Sequence, residues 1–120
     1  MARSFNPYTQ QSIREYAELN LAQLDFRIDA CLSAQKSWRN KALDERIQMV
    51  KGVSKRMLGA KKELAVLATS EMGKPITQGI QEVEKCAWAI DLMCAQAADI
   101  LKTKVISTEA QESYVQYDSL

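Results

Sequence analysis

The sequence contains no histidine, and cysteine, glycine and proline are scarce: 3, 4 and 2 of 120 residues. Without histidine and without a Cys-x-x-Cys spacing, we predict no zinc or other metal site. An odd number of cysteines argues against the disulfide framework of a small secreted protein. Cys31, Cys86 and Cys94 each lie within an apolar helical stripe, so we predict three reduced, buried thiols.

Long apolar runs and an excess of one charge are also absent. No run approaches the roughly 20 apolar residues that span a bilayer, and the first eleven residues lack a basic start followed by an apolar stretch. Sixteen basic and fifteen acidic residues are interleaved and leave a net charge of +1. Such a distribution offers no basic patch for nucleic acid or anionic lipid. We therefore predict a cytoplasmic protein with neither nucleic acid nor membrane as a partner.

The residues that are present are those of a folded, mainly helical domain. Hydrophobic residues make up 47% and charged residues 26% of the chain, a composition that excludes intrinsic disorder. Apolar residues recur at steps of three and four, which predicts amphipathic helices over about 21–38, 43–58, 64–72 and 76–101. Asn20 and Gln23 form a capping-box pattern at the first of these. Gly59 either ends the second helix as its left-handed C′ residue or lies at a bend in one longer helix.

The segment Gly73-Lys74-Pro75 predicts a helix end followed at once by a helix start. Glycine accepts the left-handed conformation after a helix, and proline suits a first helical turn. One helix is therefore expected to end near Met72, and the next to begin near Ile76.

Short strands are predicted near both ends of the chain. Asn6-Pro7 indicates a turn, residues 12–18 a strand, Val105-Ile106 the start of an extended segment, and residues 113–117 a terminal strand. Strands at opposite ends of a helical core either pair with each other, pair with another subunit, or remain frayed. The predicted fold is thus three to four amphipathic helices over a core of residues 20–103, with short strands at both ends.

The last helix carries more apolar surface than one stripe. Trp88, Leu92 and Met93 lie off the row that includes Val83 and Ala87. Either helices of the same chain or a partner domain would cover this second face.

We find no residues suited to catalysis. An activated thiol needs a neighbouring cation or a helix N-terminus, and none of the cysteines has either in a convincing position. The carboxylate pairs Glu82 with Glu84 and Glu63 with Glu71 diverge on their helices, so solvated helix faces are the expected role.

Ligand-binding patterns are equally weak. Gly73-Lys74 precedes a helix N-terminus that would attract an anion, but Pro75 lacks one of the required amides, which favours a structural joint. Trp38 is either a stacking platform or, by our interpretation, an aromatic of the core or of an interface. No Gly-rich turn follows a strand, so no residue is assigned to a cofactor.

Several segments in colinear order resemble the aldehyde dehydrogenase superfamily, and within it the succinate-semialdehyde dehydrogenase branch. They are the Asn6-Pro7-Tyr8-Thr9 turn, residues 42–47 (Ala-Leu-Asp-Glu-Arg-Ile), residues 71–75 (Glu-Met-Gly-Lys-Pro) with Glu82-Val83 beyond, and the Ser113-Tyr114-Val115 strand. The resemblance implies the helical N-terminal part of an NAD(P)-binding domain, which lies beside a Rossmann-like sheet. It also implies a terminal strand that joins an oligomerisation arm.

For the complete enzyme, the resemblance implies oxidation of an aldehyde to a carboxylate through a cysteine thiolate, NAD(P)+ and a glutamate-activated water. The family places those groups downstream of Leu120, so we expect no catalytic residue and no bound NAD or NADP here. The expected partners are the remainder of the dehydrogenase or a second copy. Ser119 stands where the family has proline, which favours a frame break or natural truncation. The alternative is a free-standing helical module that self-associates through its fourth helix and terminal strand.

Overall fold

The computed structural model describes residues 2–118, and four helices hold most of them. They are α1 (Leu21–Arg39), α2 (Leu43–Gly59), α3 (Lys61–Met72) and α4 (Ile76–Leu101). Four short strands lie at the ends: β1 (Ala2–Phe5), β2 (Ser12–Tyr16), β3 (Lys104–Val105) and β4 (Tyr114–Val115). The mainly helical fold class is confirmed. The division into a core of residues 20–103 and a strand at 113–117 within one partial domain stays a prediction.

The predicted cap and joint are both present. Asn20 accepts a hydrogen bond from the Gln23 amide at 2.9 Å, and the Gln23 side chain accepts one from the Asn20 amide at 3.1 Å. This reciprocal pair satisfies two amides that the first turn of α1 leaves open. Gly73 ends α3 in the left-handed region at φ 70°, and Pro75 is the N-cap of α4.

Of the two predicted roles of Gly59, the left-handed C′ position is wrong, and the bend in a longer helical segment is closer to the structure, although the bend lies one residue later. Gly59 is the last residue of α2, and the break falls at Ala60, whose φ of −97° is ordinary. Backbone hydrogen bonds continue across it, because the Ala60 amide donates to the Arg56 carbonyl and the Leu64 amide to the Ala60 carbonyl. The third helix therefore begins at Lys61, three residues earlier than its apolar pattern indicated.

Each end of the chain forms its own hairpin. The three predicted alternatives, in which the end strands pair with each other, pair with another subunit or remain frayed, are therefore wrong. β1 pairs antiparallel with β2 around a turn in which Asn6 Oδ1 accepts from the Tyr8 and Thr9 amides. β3 pairs antiparallel with β4, which is shorter than predicted. Strand β1 was not predicted from the sequence. The expected departure from the family at Ser119 lies outside the described residues.

The core lies where α2 and α3 pack on α4. Its buried side chains are small: Ala65, Val83, Ala87, Cys94 and Ser54. Ser54 Oγ donates to the Ala87 carbonyl across the α2–α4 contact at 3.2 Å. Helix α1 contributes no buried residue. Small residues at the crossings let the helix backbones approach closely. At Gly79, an added Cβ would lie 3.2 Å from Ala65.

Candidate functional site

The three thiols are free, and their surroundings differ from the prediction. Cys94 is buried, and its Sγ lies 3.8 Å from the Ile47 carbonyl oxygen, to which it donates. Cys31 and Cys86 are exposed, so their predicted burial is wrong. Cys31 lies on α1, which has no buried residue, and Cys86 lies on α4 outside the row of buried residues that packs on α2 and α3. Helical spacing identified the faces correctly but could not tell whether anything packs on them.

Three of the candidate glutamates are each paired with a lysine or a serine side chain. Glu84 Oε1 lies 2.6 Å from Lys61 Nζ and links α4 to α3. Glu71 Oε1 accepts from Ser4 Oγ at 2.6 Å and ties β1 to α3. Glu82 is paired with Lys74. Since Glu82, Glu84 and Glu71 each have a separate partner, the structure does not arrange them as a carboxylate pair for acid and base catalysis.

The Gly73-Lys74 joint resembles an anion site only in sequence. Glu82 neutralises the Lys74 ammonium, and Pro75 occupies the N-cap. A helix N-terminus attracts anions through free amides and a positive field, and both are reduced here. Residues 2–118 also hold no group of three or more cysteine or carboxylate side chains placed to bind a metal ion.

Trp38 lies at the junction of α1 with the core. It lines a cavity of about 210 Å³ with residues of α2 and α4, among them Ile47 and Met93. This position agrees with the interpretation of Trp38 as an interface aromatic. A wider depression, of about 680 Å³, lies inside the C-terminal hairpin between Thr103 and Gln116 and is open to solvent.

The notable feature of the surface is uncovered apolar side chains on α1 and α4. On α4, Trp88 and Met93 are 62% and 64% exposed, whereas Val83, Ala87 and Cys94 on the other face are buried. We call Trp88, Leu92 and Met93 the outer face of α4. The sequence left open whether helices of the same chain cover this face, and in the described residues they leave Trp88 and Met93 largely exposed. The exposure of α1 was not expected.

The dimensions of the chain agree with these uncovered faces. Its radius of gyration is 20.7 Å, against about 14 Å for a compact chain of this length. Its accessible surface is 10008 Å², against about 6,500 Å² for a folded monomer of this mass. The excess is comparable to a large protein interface. Within the described residues, no helix combines the length and apolar content needed to cross a bilayer.

Known proteins resemble this chain in sequence. A probable NADP+-dependent succinate-semialdehyde dehydrogenase of Synechocystis is 28% identical over 117 residues, which are 98% of this chain and 26% of that protein. The Escherichia coli succinate semialdehyde dehydrogenase Sad, described as NAD(P)+-dependent, is 26% identical over 99% of this chain and 26% of its own length.

Solved structures share the fold. The succinic semialdehyde dehydrogenase of Streptococcus pyogenes, in complex with NADP+, superposes with a TM-score of 0.86 at 23% identity, over 93% of this chain and 25% of that one. This chain thus spans about a quarter of the length of the curated relatives it matches. The aldehyde dehydrogenase family pattern matches residues 1–120, and the chain belongs to that family.

Proposed function

We propose that the chain is the N-terminal, largely helical part of an NAD(P)-dependent aldehyde dehydrogenase of the succinate-semialdehyde type. In the complete enzyme it would supply scaffold and docking surface, and the remaining three quarters would supply the chemistry. The names of the relatives in Synechocystis, Escherichia coli and Streptococcus pyogenes support the substrate class. The match to about a quarter of their length supports the partial role.

The outer face of α4 is the observation that carries this proposal. The helix is 26 residues long, and α2 and α3 cover only the side that holds Val83, Ala87 and Cys94. A helix that is apolar on two sides is stable when it lies between two layers of a fold. The proposed second layer is the part of the dehydrogenase that this chain lacks, with Trp88 and Met93 as the principal contacts.

Residues 2–118 offer no arrangement that fits a nicotinamide cofactor. None of its glycines lies in a turn between a strand and a helix, where backbone amides would reach a pyrophosphate. At the α4 N-terminus, Lys74 is already paired with Glu82. We therefore assign cofactor binding and the reactive thiol to the remainder of the enzyme. The cytoplasmic location and the lack of nucleic acid or membrane partners stay predictions.

A binding experiment tests the docking role. The chain is co-expressed with a tagged Streptococcus pyogenes enzyme from which the matching N-terminal quarter is deleted, and the complex is captured on the tag. We expect co-purification, and we expect Trp88→Glu to abolish it by placing a charge in an apolar contact. The matched control is Phe26→Glu on α1, which puts the same charge on an exposed residue outside this face. Capture of wild-type chain and Trp88→Glu in equal amounts would contradict the docking role.

A turnover assay tests the assignment of catalysis. The isolated chain, mixed with succinate semialdehyde and NADP+ or NAD+, is expected to produce no reduced cofactor. Turnover by the chain alone that disappears in Cys31→Ser or Cys86→Ser would overturn the assignment.

A further inference from the structure

Helix α1 exposes large apolar side chains along one side. Leu24, Ile28 and Leu32, here called the α1 apolar side, are spaced four residues apart and therefore lie within about 80° of one another around the helix. All three line an open groove of about 500 Å³. Helix α1 contributes no buried residue, and Ile28 and Leu32 are 47% and 56% exposed. The described part of the chain thus leaves this side uncovered.

The α1 apolar side meets the outer face of α4 at the cavity around Trp38. Helical geometry places Trp38 within about 40° of Leu24 around the helix axis, so both lie on the same side of α1. Met93, which belongs to the outer face of α4, lines the same cavity of about 210 Å³. Apolar surface therefore continues from α1, through Trp38 and Met93, to α4, and one partner can cover both helices.

The exposed area also requires more than the outer face of α4. Trp88, Leu92 and Met93 together expose roughly 400 Å², because large side chains carry about 150–250 Å² each and are only partly exposed here. A specific, stable interface buries about 800 Å² on each partner. Helix α1, with 19 residues, adds a surface about 28 Å long. The outer face of α4 becomes large enough for stable docking when α1 is included.

We propose that the missing part of the dehydrogenase docks on the α1 apolar side as well as on the outer face of α4, and that docking stabilises α1 as a helix. This inference rests on the proposed function, because it names a second surface for the same partner. The relatives are about four times as long as this chain, so the missing part is large enough to reach both surfaces.

The energetics of α1 agree with this role. A helix of 19 residues that buries none of its side chains is marginal in water. Docking would remove the side chains of Ile28 and Leu32 from water and would add the missing packing energy. The partner would therefore supply the stabilisation that the core of this chain does not give to α1.

Capture by the co-expressed Streptococcus pyogenes enzyme that lacks its N-terminal quarter tests the second surface. Ile28→Glu and Leu32→Glu are each expected to lower the captured amount at least about tenfold, because docking would bury an unpaired charge. Phe26→Glu is the matched control, since Phe26 is 74% exposed and lies on the opposite side of α1. That variant is expected to be captured like the wild type. Circular dichroism of the isolated variants checks that their helix contents match.

Hydrogen exchange tests whether docking stabilises α1. In the captured complex, amides of α1 are expected to exchange at least about tenfold more slowly than in the isolated chain. Equal exchange of α1 in the complex and in the isolated chain would overturn the inference.

The two proposals fail in different ways. Full capture of Ile28→Glu and Leu32→Glu, together with loss of capture in Trp88→Glu, would overturn the inference about α1 and leave the docking role of α4 intact. No capture of the wild-type chain would overturn both. A second copy of this chain is the other possible occupant. A dimer of the isolated chain that Ile28→Glu abolishes in sedimentation, while capture stays unaffected, would assign the α1 apolar side to self-association instead.

Discussion

At the scale of single residues, Gly79 allows α4 to approach α3 closely. This glycine is buried in the first turns of α4, and Ala65 on α3 is 0% exposed beneath it. A Cβ at residue 79 would lie 3.2 Å from the Cα, Cβ and carbonyl oxygen of Ala65. Backbone atoms of a packed helix cannot swing aside as a flexible side chain can. Glycine here is a packing requirement, although it costs helix propensity.

Gly79→Ala is therefore expected to destabilise the chain by about 1–2 kcal/mol, since overpacking outweighs the gain in helix propensity. Gly52→Ala is the matched control, because Gly52 lies within α2 and an added methyl group there would have no atom within 4 Å. That variant is expected to gain about 0.5–1 kcal/mol. Urea unfolding followed by circular dichroism measures both. Equal changes in the free energy of unfolding for the two substitutions would contradict the packing requirement, because α3 and α4 would then move apart at little cost.

Residue identities alone could not fix the environments of the candidate site. Helical spacing places Cys31 and Cys94 alike on apolar stripes, yet one is exposed and the other is buried. The difference depends on which helix packs on which stripe, and that is a property of the assembled fold. The partners of Glu82 and Glu84 could not be predicted from the sequence for the same reason. Lys61, for example, lies 23 residues from Glu84 in sequence, and only the packing of α3 on α4 brings them together.

At the scale of elements, the helices were predictable and the hairpins were not. The ends of α1 and α3 follow from the Asn20 capping box and the left-handed Gly73, which are local signals. Strand β1 lacks the alternation of apolar and polar residues that predicts a strand. It is a strand because its backbone pairs with β2. A strand of four residues that depends on a partner leaves little trace in its own sequence.

The joint between α3 and α4 offers a test at this scale. Gly73→Ala is expected to cost about 1–2 kcal/mol, because an L-residue is strained at φ 70°. The new methyl would also meet Pro7 Cγ at 3.1 Å, so the turn of the β1–β2 hairpin would be displaced. Gly59→Ala is the control: Gly59 has an ordinary φ and open space around it, and its substitution is expected to be neutral or stabilising. Thermal unfolding compares the two variants, and equal midpoints would contradict a role for the left-handed turn.

At the scale of the whole molecule, the chain consists of a three-helix core with weakly supported elements around it. In this core α2 and α3 pack on α4, and small side chains fill the contacts. The ion pair between Lys61 and Glu84 links α3 to α4 at the surface. Helix α1 and the two-stranded hairpins have few or no buried residues. Two strands alone are marginal in water, and an isolated helix of this length is marginal as well. Stability should therefore be uneven along the chain.

Hydrogen exchange measured by mass spectrometry reports this difference directly. Amides of α1 and of the β3–β4 hairpin are expected to exchange at least about tenfold faster than those in the middle of α2 and α4, because neither element contains a buried residue. Uniform protection over all four helices would contradict this expectation and would mean that the core stabilises α1 as strongly as it stabilises α2 and α4.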